Sequence, residues 1–151
     1  MDFAQERYSD ELVAEMMPLW EIHSNETRDM NPIPLDPNLE VYKAMDMMGM
    51  LRVYTMRFAK KLVGYQVMMV SQHHHSKDLK VAQMDILFVH PDWRLGLIAY
   101  RFIKWCDAKL AAEGVQLTVK AIKARLDFGT ILERMDYVLE DVVYSRRLSC
   151  P

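Results

Sequence analysis

The stretch Met84-Asp-Ile-Leu-Phe-Val-His-Pro-Asp-Trp-Arg-Leu-Gly-Leu-Ile-Ala99 decides how this chain is read. It opens as an apolar run that favours a strand and stops at His90-Pro91, where proline cannot extend a ladder. Ile98, Phe102, Trp105, Cys106 and Leu110 then recur at three- and four-residue spacing, which predicts a helix that Gly114 ends. A strand thus passes through a short loop directly into a helix. The first amides of a helix have no intrahelical partners, and with the helix dipole they make an anion site. Arg94 adds a fixed charge and a planar donor fork, Gly96 allows close backbone approach, and Ala99 keeps the helix start uncrowded. Residues 84–104 are therefore expected to hold the phosphates of a cofactor. The same residues also fit a plain strand-to-helix connection in which Arg94 faces water.

Upstream of this turn, residues 50–58, 62–71 and 79–90 are rich in Val, Tyr, Met, Leu and Phe and are separated by short polar breaks at 59–61 and 72–78. That spacing predicts an antiparallel meander. Further upstream, Ser9 caps a helix over residues 9–25 whose apolar face is Leu12, Val13, Met16, Met17 and Trp20, with Pro18 expected to kink it. Three prolines make residues 31–37 irregular, and Asp36-Pro37 starts a second helix that Gly49 stops. Downstream, residues 115–121 read as a strand, 128–135 as a short helix, and 138–148 as one or two closing strands. The long central helix joins two strands too far apart for a hairpin, so it is a crossover between parallel neighbours. The fold class is α/β: a mixed central sheet, antiparallel meander plus parallel crossover, flanked by helices, in one domain over 1–151.

With 151 residues, 51% hydrophobic and 26% charged, the chain has the composition of a soluble globular domain. Its net charge of −2 gives no global attraction to nucleic acid or membrane, and the basic residues Lys120, Lys123, Arg125, Arg146 and Arg147 read as solvated surface. The two cysteines, Cys106 in the helical pattern and Cys150 near the end, do not suggest a disulfide framework. The acidic N-terminal residues argue against a secretory signal, and no apolar run is long enough to cross a bilayer, so a cytoplasmic location is expected. His73-His74-His75 is read as a solvated loop, because adjacent strand residues point to opposite faces and cannot share one ion; no metal is expected. The 13 methionines are read as core, with Met47, Met48 and Met50 beside a loop as an adaptable binding surface.

The segment from Asp85 to Lys104 resembles the central motif of the Gcn5-related N-acetyltransferase superfamily: an apolar strand, a Pro-acidic-aromatic-Arg turn, then R/Q-x-x-G-x-G/A opening a long helix. The matching residues are Pro91, Asp92, Trp93 and Arg94, with Ala99 at the last small position. The order of elements is similar as well, and Gly49-Met-Leu-Arg52 and Leu62-Val-Gly-Tyr65 resemble tailed-phage members. The resemblance implies acetyl-CoA as cosubstrate. It places the pyrophosphate on the backbone of Arg94, Leu95, Gly96, Leu97, Ile98 and Ala99, and the pantetheine on Leu87, Phe88 and Val89. The middle glycine of the pattern falls on Leu97, which either crowds the phosphates or shifts the loop onto Gly96.

The resemblance also implies a base on the strand, for which Asp85 is the candidate, with Gln83 on the same face. His23 and Glu26 are further candidates on the acceptor side. The usual proton-donating tyrosine falls on Leu132 and the glycine before the final aromatic on Asp136, leaving Tyr137 and Tyr144 as substitutes. The first two helices and the loop at 72–78 are expected to line the acceptor site. Two activities follow: acetyl transfer to an amine of a small molecule or protein, or a catalytically weakened relative that binds another protein, such as a host factor if phage-encoded.

Overall fold

A computed structural model describes residues 1–27, 34–124, 127–146 and 148. Its elements are β1 (Asp2–Glu6), α1 (Asp10–Thr27), α2 (Leu39–Met47), β2 (Leu51–Phe58), β3 (Lys61–His73), β4 (Ser76–Val89), a 3₁₀ turn (Pro91–Trp93), α3 (Ile98–Ala112), β5 (Leu117–Val119) and α4 (Gly129–Glu133). The strands form one sheet in the order β1-β2-β3-β4-β5. β1 to β4 pair antiparallel, and α3 crosses over to bring β5 parallel to β4. The expected α/β class, meander and crossover are all present.

The sheet is covered on both faces, as alternation along the strands requires. One face packs Tyr54, Met56, Met68, Val70, Ala82 and Val89 against Phe102, Cys106 and Leu110 of α3. The other packs Leu51, Val53, Tyr65, Val67 and Phe88 against Leu12, Met16, Leu19 and Trp20 of α1, with Tyr42 and Met45 of α2 at its margin. Cys106 is a fully buried free thiol, pushed up in pKa by burial; Cys150 lies outside the described residues. Among the described residues, no helix is long and apolar enough to cross a membrane.

Several expectations are corrected. β1 was not legible: Asp2 and Glu6 at its ends hide a strand whose Phe3 packs on Phe102 and Trp105, with ring centroids 5.2 and 5.9 Å away. α1 runs through Pro18 without a break, because Pro18 and Ala14, whose carbonyl loses its donor, both face solvent. α2 begins two residues after Pro37, with the Asn38 side chain accepting from the Val41 amide at 3.3 Å. The expected loop at 72–78 is a tight turn at His74-His75 between much longer strands. That turn lies at the start of β4, roughly 40 Å of strand from the loop that follows Val89. It therefore cannot line a site at the end of β4. Among the described residues, no cluster of His, Cys, Asp or Glu is assembled to hold a metal. Met47 and Met48 are exposed, whereas Met16, Met56 and Met68 belong to the core.

The closing strands expected over 138–148 do not form: residues 138–146 and 148 carry no strand, and Val138, Leu139, Val142, Val143 and Tyr144 are exposed. Apolar content made that segment read as a strand, but it has no sheet partner here, and partner pairing decides strand formation. Arg147 and residues 149–151 lie outside the described residues.

Gly64 sits where three strands come closest. A Cβ there would lie 2.7 Å from Met56 Cε and 2.9 Å from the Phe88 carbonyl oxygen. Met56 can yield but the backbone of β4 cannot. Gly64→Ala is expected to destabilise the fold by about 1–3 kcal/mol, as overpacking does. Urea unfolding at constant slope checks this, and a neutral result would mean that β4 shifts freely at Phe88.

Candidate active site

The β4–β5 ladder is short. It pairs Val81, Ala82 and Gln83 with Leu117, Thr118 and Val119 and then stops, although β4 continues to Val89. From Met84 onward β4 is held on one side only, by β3. Alternate backbone groups of that stretch point into the gap, where among the described residues no strand meets them. Leu87, Phe88 and Val89 lie on this open stretch.

The loop that follows is anchored at both ends. His90 donates its amide to the Val63 carbonyl (2.8 Å), its Nδ1 accepts from the Asp92 amide (3.3 Å), and the Trp93 ring packs on Phe58 at 4.4 Å. Gly96 takes φ +63°, the left-handed region in which glycine carries no penalty, and Leu97 becomes the N-terminal cap of α3. Leu95 and Leu97 are both exposed. The first helical bond runs from the Arg101 amide to the Leu97 carbonyl; among the described residues, the amides of 95–100 meet no acceptor. Six unpaired donors at the positive end of a 15-residue helix make a place for an anion.

Arg94 does not simply face water. Its Nε donates to the Val89 carbonyl at 2.6 Å, its Nη2 donates to Glu26 Oε2 at 2.6 Å, and its guanidinium lies 5.4 Å from the Phe88 ring centre. It therefore ties the loop to the last turn of α1. His23, one turn before Glu26, stacks on the same Phe88 ring at 5.1 Å and 30°. Burial pushes the His23 pKa down; Arg94 and Lys123 act in the same direction and Glu26 opposes them. α1, the end of β4 and the loop thus converge on Phe88.

Asp85 is the extra residue of a β-bulge: Val67 pairs with Ile86 and Met68 with Met84, leaving Asp85 unopposed. The bulge turns an exposed carboxylate toward α2, where Oδ2 accepts from the Tyr42 hydroxyl at 2.6 Å. Burial, followed by this bond, raises the Tyr42 pKa well above its ordinary value. Gln83 is likewise exposed.

The remaining candidates lie elsewhere. Leu132 is buried in the core contact of α4. Asp136 takes φ +64°, the conformation a glycine would supply, and turns the chain so that Tyr137 enters the space between β5 and α3. There Tyr137 hydrogen-bonds to Thr118 and donates to Asp107 Oδ2 at 2.9 Å. Its pKa is raised, chiefly by burial. Lys120 Nζ lies 3.0 Å from Asp107 Oδ1 and 5.5 Å from the Tyr137 ring centre. The Lys120 side chain is 0% exposed, which corrects its reading as solvated surface. Tyr144 sits on the exposed C-terminal segment, in no contact with this cluster.

The residues that sequence reasoning missed are Tyr42, Phe88 as a side-chain platform, and the Asp107–Lys120 pair. Asp107 carried a signal, since it interrupts the apolar face formed by Ile103, Cys106 and Leu110. Arg125 lies outside the described residues. A groove of about 580 Å³ beside Glu6, Arg7, Asp46, Arg52 and Glu113 lies at the opposite end of the sheet; Arg52 pairs with Glu113 at 2.7 Å, Arg7 with Asp46 at 3.6 Å, and Glu6 with Arg57 outside it.

No family model matches the chain, and no curated protein matches it in sequence. Solved structures do. A ribosomal-protein-alanine N-acetyltransferase from Brucella melitensis superposes with TM-score 0.71 at 18% identity, over 98% of this chain and 100% of that one. An aminoglycoside acetyltransferase from an uncultured soil metagenomic sample, in complex with sisomicin, gives 0.72 at 16% identity, over 97% of each chain. An aminoglycoside N-acetyltransferase in complex with CoA gives 0.67 at 12%, over 99% and 100%. At these identities the likeness concerns architecture, and it spans both chains end to end: this protein has the fold of the Gcn5-related N-acetyltransferases.

Proposed function

We propose that the chain is a single acyltransferase domain that moves an acetyl group from acetyl-CoA to an amine. The observation that carries this reading is the edge of β4 over 84–89, which no strand meets among the described residues, leading directly into six amides at the start of α3 that meet no acceptor among them. An extended thioester can lie along the open edge through Leu87, Phe88 and Val89, with its pyrophosphate on the amides of Leu95, Gly96, Leu97, Ile98 and Ala99. Gly96 makes the turn, and the Leu97 side chain is exposed. Transfer needs a polarised carbonyl, a proton acceptor for the amine and a proton for the thiolate. Backbone donors of the open edge supply the first. Asp85 and His23 border the acceptor face and can serve the second. Tyr137 is half-buried and committed to Asp107, and Tyr144 stands on the exposed C-terminal segment, so water supplies the third. The thiolate is a good enough leaving group for that.

Acetyl-CoA binding tests this reading. A ligand that binds only the native state stabilises it by about 2.7 kcal/mol at a hundredfold excess over Kd, which is roughly 5–11 °C in a chain of this size. No thermal shift at millimolar acetyl-CoA would sink it. A second reading, a catalytically weakened protein that contacts another protein, phage-encoded or not, is favoured by one observation: Leu132 is buried where a proton-donating tyrosine is expected. Binding of acetyl-CoA without thiol release toward any amine would favour that reading.

A further inference from the structure

Within the transfer reading, on which this inference rests, the acceptor amine must lose a proton as its nitrogen attacks. His23 is placed to take it. It lies on the last turns of α1, with its ring stacked at 30° on Phe88, a residue of the open edge of β4. Among the described residues, neither ring nitrogen is engaged in a hydrogen bond. Glu26 is held by Arg94 at 2.6 Å, so that carboxylate is committed to the loop. Asp85, by contrast, already accepts from Tyr42, and a carboxylate is a far weaker base than an imidazole.

We propose that His23 is the proton acceptor of the transfer step, with Asp85 attracting the cationic form of the amine. The bound ammonium first releases one proton to solvent; the neutral nitrogen then bonds to the carbonyl carbon, its second proton passes to the imidazole, and the C–S bond breaks. The thiolate takes a proton from water, and the imidazolium returns one to solvent. The charged groups around His23 are Glu26 on its own helix, Arg94 on the loop and Lys123 beyond β5. Their sum with burial keeps the neutral, proton-accepting form populated at neutral pH, and activity falls as pH drops through a value below the ordinary 6.5.

The test follows thiol release from acetyl-CoA across pH, with water as acceptor and then with glycinamide as a generic primary amine. His23→Gln is expected to slow release about a hundredfold and to remove the acidic limb of the profile, with stabilisation by acetyl-CoA unchanged. Added imidazole is expected to restore rate to His23→Ala, which loss of a packing contact alone does not allow. Asp85→Asn is expected to raise KM for glycinamide while keeping the limb. An acidic limb that persists in His23→Gln, a rate within threefold of the parent, or a limb that moves with Asp85→Asn overturns the assignment. A parent that binds acetyl-CoA but releases no thiol overturns it together with transfer, whereas a parent that does not bind acetyl-CoA removes the cofactor reading itself.

Discussion

Asp107→Ala is expected to lower the unfolding free energy by about 3–5 kcal/mol, while Lys120→Met leaves it unchanged or raises it. Lys120 extends from the end of β5 into a space where its side chain has no solvent exposure, and Asp107, on α3, is 22% exposed. The ion pair is close, at 3.0 Å, but poorly aligned as a hydrogen bond. Its strength is therefore mainly Coulombic, supplemented by the Tyr137 ring under the ammonium. Removing the carboxylate leaves a buried ammonium without a counter-charge and deprives the Tyr137 hydroxyl of its acceptor. Removing the ammonium is different. Methionine fills the space of the stem, and Asp107, 22% exposed, keeps the Tyr137 hydroxyl on Oδ2. At about 2–4 °C per kcal/mol, Asp107→Ala should melt roughly 6–20 °C below the parent. A loss under about 1 kcal/mol would show that Lys120 escapes to solvent when released and that the cluster does not pin β5, α3 and the end of α4 together.

The same cluster shows where sequence reasoning stops. Periodicity identified α3, because apolar residues at three- and four-residue spacing must share a face, and it identified β2 to β4 because their runs are long and bounded by polar breaks. It could not place Lys120, since a charge on a short strand reads as surface until tertiary contact provides a buried partner. β1 escaped for the complementary reason: it is five residues long with charged ends, and only pairing to β2 makes it a strand. Residues 138–146 failed in the other direction, having strand composition and no partner. The central turn was legible because its chemistry is local: proline, arginine and glycine each constrain the backbone or charge at their own position. That Arg94 reaches back to Glu26, 68 residues earlier, was not legible, nor was the bulge that leaves Asp85 unopposed, because both depend on register.

Arg94→Ala is expected to weaken acetyl-CoA binding by roughly 10–100-fold, the loss of a charge-assisted hydrogen bond of about 1.5–3 kcal/mol. Asp85→Ala should change binding by less than about threefold, since its carboxylate faces α2 and Tyr42 rather than the loop. Arg94 has two duties that must be separated. Through Nε it fixes the loop to the Val89 carbonyl, and through Nη2 it is engaged by Glu26. If phosphate takes over that guanidinium, Glu26 is a competitor, and Glu26→Gln should leave affinity unchanged or tighten it a few fold. Arg94→Lys should fall between parent and alanine, keeping the charge but not the fork. Isothermal titration at low and high salt distinguishes the cases, because a phosphate contact carries a salt dependence that a loop anchor lacks. Equal losses from Arg94→Ala and Asp85→Ala would overturn the division between cofactor and acceptor sides. If Glu26→Gln weakens binding as much as Arg94→Ala does, then Arg94 serves the cofactor only by tying α1 to the loop, and the phosphates rest on the six amides alone.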